Sequence, residues 1–125
     1  MLIEDDKLLN DLQTEMMTES GIRVISLLDP SEQISIMKRE KDNLDLVISG
    51  ILQPEIDGLE MLKRVKGIDE IKHIPWIVST NLCQESIAEE AYKLGAVDYL
   101  PLSKLSADEW LARVLKFLER SQSKT

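Results

Sequence analysis

Short apolar runs alternate with amphipathic stretches along the whole chain, and this alternation predicts five strand–helix units. Leu2-Ile3 opens the chain as the stub of a strand. Leu8, Leu9, Leu12 and Met16 then recur at helical spacing and predict a first helix with that stripe facing inward. Ile22–Leu28 is rich in β-branched and aliphatic residues and predicts the second strand. Asp29-Pro30-Ser31-Glu32 predicts a helix start, with Asp29 as N-cap, Pro30 in the first turn and Glu32 completing a capping box. The Lys38-Arg39-Glu40-Lys41 cluster reads as the solvated end of that helix.

Leu46-Val47-Ile48 is a continuous apolar run, as expected of a strand covered on both faces. Pro54 and the Asp57-Gly58 pair punctuate the loop after it, and Leu59, Met61, Leu62 and Val65 restore a helical pattern. Ile74-Pro75-Trp76-Ile77-Val78 predicts a fourth strand. Ile87, Ala88, Ala91 and Leu94 define the buried side of a fourth helix, which Gly95 is placed to end. Val97–Leu100 predicts the fifth strand. Ser106 and Glu109 then form a capping box, with Leu105 and Trp110 at hydrophobic-staple spacing, and Leu111, Val114, Leu115 and Leu118 form the inner stripe of the last helix.

Five alternating units imply an α/β fold: a parallel sheet between two helical layers, reached by right-handed crossovers, in a three-layer flavodoxin-like arrangement. In such folds the site lies beyond the carboxyl ends of the strands, at the switch in strand order. That rule brings together Glu4–Asp6, Gly50–Gly58, Thr80–Leu82 and Pro101–Ser103.

The length, 125 residues, suits one domain spanning 1–125 with no output domain, although the two or three residues before Glu4 are short for a central strand. No apolar run is long enough to span a membrane, and the acidic N-terminus is unlike a signal peptide. A single cysteine, Cys83, forms no intramolecular disulfide, which fits a reducing cytoplasm; a redox role is its minor reading. The net charge of −8 argues against binding nucleic-acid phosphates. His73 lacks any triad or metal spacing and reads as a surface residue. Trp76 and Trp110 read as packing residues, with Trp110 half exposed.

The loop residues resemble those of response-regulator receiver domains. Glu4-Asp5-Asp6 resembles the acidic cluster that opens the family. Asp45-Leu46-Val47-Ile48-Ser49-Gly50 followed by Pro54-Glu55-Ile56-Asp57-Gly58 resembles its third strand and loop. Ile74-Pro75 through Thr80 resembles the fourth strand with its switch hydroxyl, and Gly95-Ala96-Val97-Asp98-Tyr99-Leu100 the fifth strand with its switch aromatic. The resemblance covers essentially the whole chain and implies the CheY-like sheet order 2-1-3-4-5.

Two departures from the family pattern bear on function. Receivers carry their phospho-accepting aspartate where this chain has Gly50, and a lysine where it has Leu102; here Pro101 precedes and Ser103 follows that position. Glycine offers no nucleophile, and leucine cannot offset charge on phosphoryl oxygens. The paired loss implies a pseudo-receiver, with no catalytic residue, that works by binding a protein: a histidine kinase, another regulator, an output protein or a second copy of itself. Glu4 and Asp5 remain as a vestigial acidic pocket, with weak Mg²⁺ binding through them and the backbone of Leu52 as the most it would support. Thr80 and Tyr99 keep the switch pattern.

An active receiver phosphorylated at Asp57 is the alternative, against which stands the reading of Asp57 as a turn residue. A flavodoxin-like cofactor binder or small enzyme is the other, and the acidic first loop would repel its phosphates. By the resemblance, the partner face comprises Gln84–Leu94, Val97–Leu100 and Ala107–Arg120. Glu85, Glu89, Glu90 and Lys93 lie on it, with Tyr99, Trp110 and Arg113 as candidate anchors for a basic partner.

Overall fold

A computed structural model of the chain describes residues 1–52 and 56–123. Pro54 and Glu55 of the predicted loop lie outside the described residues, as does the Arg120 side chain at the end of the expected partner face. The strands are β1 (Leu2–Ile3), β2 (Ser26–Leu27), β3 (Val47–Ser49), β4 (Trp76–Thr80) and β5 (Asp98–Pro101). The helices are α1 (Lys7–Glu19), α2 (Gln33–Arg39), α3 (Gly58–Lys66), α4 (Glu85–Lys93) and α5 (Ala107–Ser123), with a short 3₁₀ turn at Leu102–Lys104. All pairings are parallel and the order is β2-β1-β3-β4-β5, as expected from the sequence.

The two-residue period of the strands divides the core. Ile3, Val47, Trp76, Val78 and Tyr99 pack in one cluster with Ile36 and Met37 of α2, Leu62 and Val65 of α3, and Ala91 of α4. Leu2, Ile48, Ile77 and Leu100 pack in the other with Met17 of α1 and Trp110 and Val114 of α5. Successive side chains of a strand point to opposite faces, so one apolar run feeds both helical layers.

Three local expectations are corrected. First, the inward stripe of α1 is Asn10, Gln13 and Met17, while Leu8 is 83% and Leu12 48% exposed. Asn10 fixes this rotation, because its side-chain amide donates to the carbonyls of Glu4 and Leu27, 3.1 Å from each, at the ends of β1 and β2. Buried polar groups take such partners, and here they outweigh the apolar spacing. Second, the strand predicted at Ile22–Leu28 has a ladder only at Ser26–Leu27, because β1 offers just two residues to pair with. The remainder still straddles the sheet, with Ile22 and Val24 against the α1–α5 cluster and Ile25 against the other. Third, α2 begins at Gln33 without a side-chain cap from Glu32. The Asp29 carboxylate instead accepts from the backbone N–H and hydroxyl of Ser31, a local turn that competes with capping.

Other local signals hold. Ser106 and Glu109 make both capping-box bonds, at 3.0 and 3.1 Å, and Leu105 and Trp110 share the α1–α5 cluster. Gly95 follows α4 with φ of 109°, a conformation that L side chains avoid.

Candidate functional site

The carboxyl ends of β1, β3, β4 and β5 gather the four predicted loops. Parallel register aligns Ile3 with Ser49, Ser49 with Val78, and Thr80 with Pro101. The amide of Gly50 donates to the Ile3 carbonyl at 3.1 Å, so Gly50 stands directly after β3, beside the start of the acidic loop. The loop beyond returns onto it: Gly58 donates to the Ile51 carbonyl at 2.8 Å, and a Cβ on Gly58 would fall 1.8 Å from the Gly50 carbonyl oxygen. Only glycine permits that approach. The Ser49 hydroxyl donates to the same carbonyl at 3.0 Å.

Asp57 caps α3. Its carboxylate accepts from the Glu60 amide at 2.8 Å, which agrees with reading it as a turn residue ahead of Gly58.

The acidic loop holds two unlike carboxylates. Glu4 is buried and its carboxylate accepts from the Asp6 amide at 3.0 Å, whereas Asp5 is exposed. Burial pushes the Glu4 carboxyl up from 4.5 to about 7; the Asp6 amide opposes the shift, and neighbouring Asp5 adds to it. Of the set nominated for Mg²⁺, Glu4 engages the Asp6 amide through one carboxylate oxygen, Asp5 is exposed, and Leu52 enters only through its backbone carbonyl; Gly50 contributes no carboxylate. Among the described residues, no three acidic, histidine or cysteine side chains come together. His73 is exposed on the α3–β4 connection, at the other end of the strands.

At the other margin, Leu102 is half buried against the α1–α5 cluster, and Lys104, two residues on, is exposed. Thr80 is buried and its hydroxyl accepts from the Leu82 amide at 3.2 Å. Tyr99 is also buried, and its hydroxyl donates to the Leu82 carbonyl. Cys83 is a free, exposed thiol 3.0 Å from the Ser103 hydroxyl. Thr80, Tyr99, Cys83 and Ser103 therefore all meet the β4–α4 connection.

The partner-face residues separate into two groups. Glu85, Glu89, Glu90 and Lys93 are exposed on α4. The three candidate anchors are not free. Tyr99 is 8% exposed; Trp110 is 2% exposed rather than half exposed, with its indole N–H on the Ser79 hydroxyl at 3.1 Å; and the Arg113 guanidinium is committed to Asp98. The exposed apolar groups on this side are instead Tyr92, 48% exposed, and Val97, 41% exposed. The sequence signal for Tyr92 is its place just off the Ile87/Ala88/Ala91/Leu94 stripe.

A cavity of about 400 Å³ opens at the opposite, amino-terminal end of the sheet, lined among others by Met17, Leu46, Val114 and Leu118, and takes no part in the loop cluster. Among the described residues no helix is long and apolar enough to cross a membrane.

Residues 1–115 match the family model of the response regulator receiver domain. The chain is 32% identical over 118 residues to the probable transcriptional regulator ycf29 of Porphyra purpurea, covering 94% of this chain and 54% of that protein. It is 33% identical over 116 residues to the transcriptional regulatory protein CrdR of Helicobacter pylori, covering 93% and 53%. The chain thus spans about half the length of these curated relatives. Among solved structures, the non-phosphorylated HemR receiver domain of Leptospira biflexa superposes with a TM-score of 0.82 at 22% identity, covering 93% of this chain and 90% of that one. A CheY-like receiver domain protein of Methanospirillum hungatei superposes with a TM-score of 0.85 at 16% identity, covering 99% and 95%. Fold, order of elements and family match agree, and the chain belongs to the response-regulator receiver family of two-component signalling.

Proposed function

We propose that this receiver domain signals by binding a protein partner, without phosphorylation of an aspartate. The observation that carries the reading is Gly50 at the carboxyl end of β3, where the family resemblance calls for the acceptor. A residue without a side chain cannot attack a phosphodonor. The surroundings support the same reading. Leu102 packs into apolar core where the family has a lysine, and Asp57, the alternative acceptor, is engaged in capping α3. Loss of the carboxylate and the lysine together is cheap, whereas a lysine kept without its carboxylate would leave an unpaired charge.

No step of this reading depends on a metal. The domain's work is recognition, and the partner classes are a histidine kinase, another regulator, an output protein or a second copy. The proposed face is α4 with the β5 edge: Tyr92 and Val97 as the apolar centre, Glu85, Glu89 and Glu90 as an acidic rim, and Lys93 as its one basic member. Acidic rims steer a basic partner, while partly exposed aromatic groups supply more of the affinity.

The test is incubation with acetyl phosphate and Mg²⁺, followed by intact-mass measurement. No acyl-phosphate adduct is expected. A stoichiometric phosphoryl gain mapped to Asp57 or Asp5 would establish an active receiver with a displaced acceptor.

A further inference from the structure

We infer that the cavity at the amino-terminal end of the sheet is a binding site for a small molecule with an apolar body and a cationic amine at one end. The inference goes beyond the proposed function. The site lies at the far end of the strands from Gly50, so it stands whether or not the domain is phosphorylated.

The cavity follows from short strands. β1, β2 and β3 are two, two and three residues long, so the sheet stops early at this end. Residues 22–25 and 44–46 lead into β2 and β3 outside any regular element, and α5 supplies the remaining wall. The space they enclose is about 400 Å³. That lies within the range of small-molecule sites, roughly 300–1,000 Å³. At its margin the chain turns through Gly21, where an added Cβ would meet nothing within 4 Å, so this side stays open to solvent.

Floor and mouth differ in chemistry. The floor is made of core side chains: Met17, Leu46, Ile48 and Val114 are each at most 5% exposed. Leu115 and Leu118 of α5 extend the apolar wall outward. A recess whose floor reaches the core accepts a compact ligand that buries its body there, and leaving water drives that burial.

The mouth carries Glu40, Asp45 and Glu119 against one cationic side chain, Arg23. Glu40 shares its charge with Arg39 at 3.7 Å, while Asp45 and Glu119 are exposed and enter no ion pair among the described residues. Met1 also lines the cavity. Its amino group donates to the Leu46 carbonyl at 2.8 Å, and burial lowers its pKa from 8.0 to about 5, so at neutral pH it does not offset the carboxylates. The mouth therefore complements a cation and repels an anion.

Three indoles of similar size serve as probes: tryptamine as the cation, tryptophol as the neutral alcohol and indole propionate as the anion. Amide chemical shifts of the isotope-labelled whole chain report binding. Tryptamine should give saturable shifts confined to residues 20–25, 43–48 and 114–119, with a Kd on the order of millimolar for a ligand of this size. Tryptophol should bind about two- to fivefold more weakly, and indole propionate more weakly still. Asp45→Asn/Glu119→Gln changes two exposed positions and should remove most of the preference for tryptamine. Leu118→Trp should fill the cavity and abolish the shifts. Absence of saturable shifts at the cavity, equal binding of the three probes by the parent, an unchanged preference in Asp45→Asn/Glu119→Gln, or parent-like binding by folded Leu118→Trp would each overturn the assignment.

Discussion

The guanidinium of Arg113 grips the carboxylate of Asp98 with two parallel bonds, Nε to Oδ2 at 2.9 Å and Nη2 to Oδ1 at 2.5 Å. The acid is buried, with a side chain 7% exposed, while the arginine is 44% exposed. Asp98 Oδ1 also accepts from the Tyr99 amide at 2.8 Å and from the Tyr92 hydroxyl at 3.4 Å. One carboxylate thus joins the root of β5, the outer side of α4 and the middle of α5. Removing the arginine strands a buried charge, which costs more than the pair itself contributes. Arg113→Met should lower unfolding free energy by about 2–4 kcal/mol in urea titration, and Asp98→Asn/Arg113→Met should recover part of that loss. Equal stability of parent and single variant would mean that the Tyr99 amide and Tyr92 hydroxyl suffice for Asp98.

Glu4 gives the domain a pH signature. Its carboxyl titrates near 4.5 when unfolded and at about 7 when folded, so between those values the folded state holds the extra proton. The contribution of Glu4 is then fully present below the unfolded pKa and is lost as pH rises through this window, where the buried Met1 ammonium, lowered from 8.0 to about 5, works in the opposite direction. The loss should be on the order of 1–2 kcal/mol, because solvent at the acidic loop screens the full effect. Glu4→Gln should remove this component, so that the parent-minus-variant difference in unfolding free energy shifts in the variant's favour as pH rises from 4.5 to about 7 in urea titrations.

On the proposed reading, phosphorylation at the end of β3 requires both an acceptor at position 50 and a cation at position 102. Gly50→Asp alone should give little acyl phosphate, since no cation offsets the phosphoryl charge. Gly50→Asp/Leu102→Lys should give more, provided the lysine leaves the apolar cluster in which Leu102 packs. Mass spectrometry after acetyl phosphate treatment compares them. Equal labelling of the two variants would show that position 102 is unimportant, and would turn attention to exposed Lys104 as the cation in use.

Glu89→Lys/Glu90→Lys should weaken binding of a basic partner captured by pull-down, more so at low salt than at high salt, because screening already removes much of the rim's effect. Tyr92→Ala should weaken it at both. Folded variants binding as tightly as the parent at either salt would move the interface elsewhere, first to the exposed Leu8–Leu12 side of α1.

By itself, the sequence determined the order of elements, the parallel sheet and which loops share its carboxyl edge. These follow from alternation, from continuous apolar strands and from local punctuation such as the Ser106–Glu109 box and Gly95. It also determined that Gly50 carries no nucleophile, since that depends on one side chain and its place after β3. Only the tertiary structure decided which way α1 turns, because two carbonyls at the ends of β1 and β2 bind Asn10 more decisively than leucine spacing directs the helix. It likewise decided that Tyr99 and Trp110 are inside and Tyr92 and Val97 outside. Amphipathic spacing ranks a helix's faces against one another, but the burial of Trp110 also depends on the Ser79 hydroxyl that receives its indole N–H, and that partner lies far away in sequence.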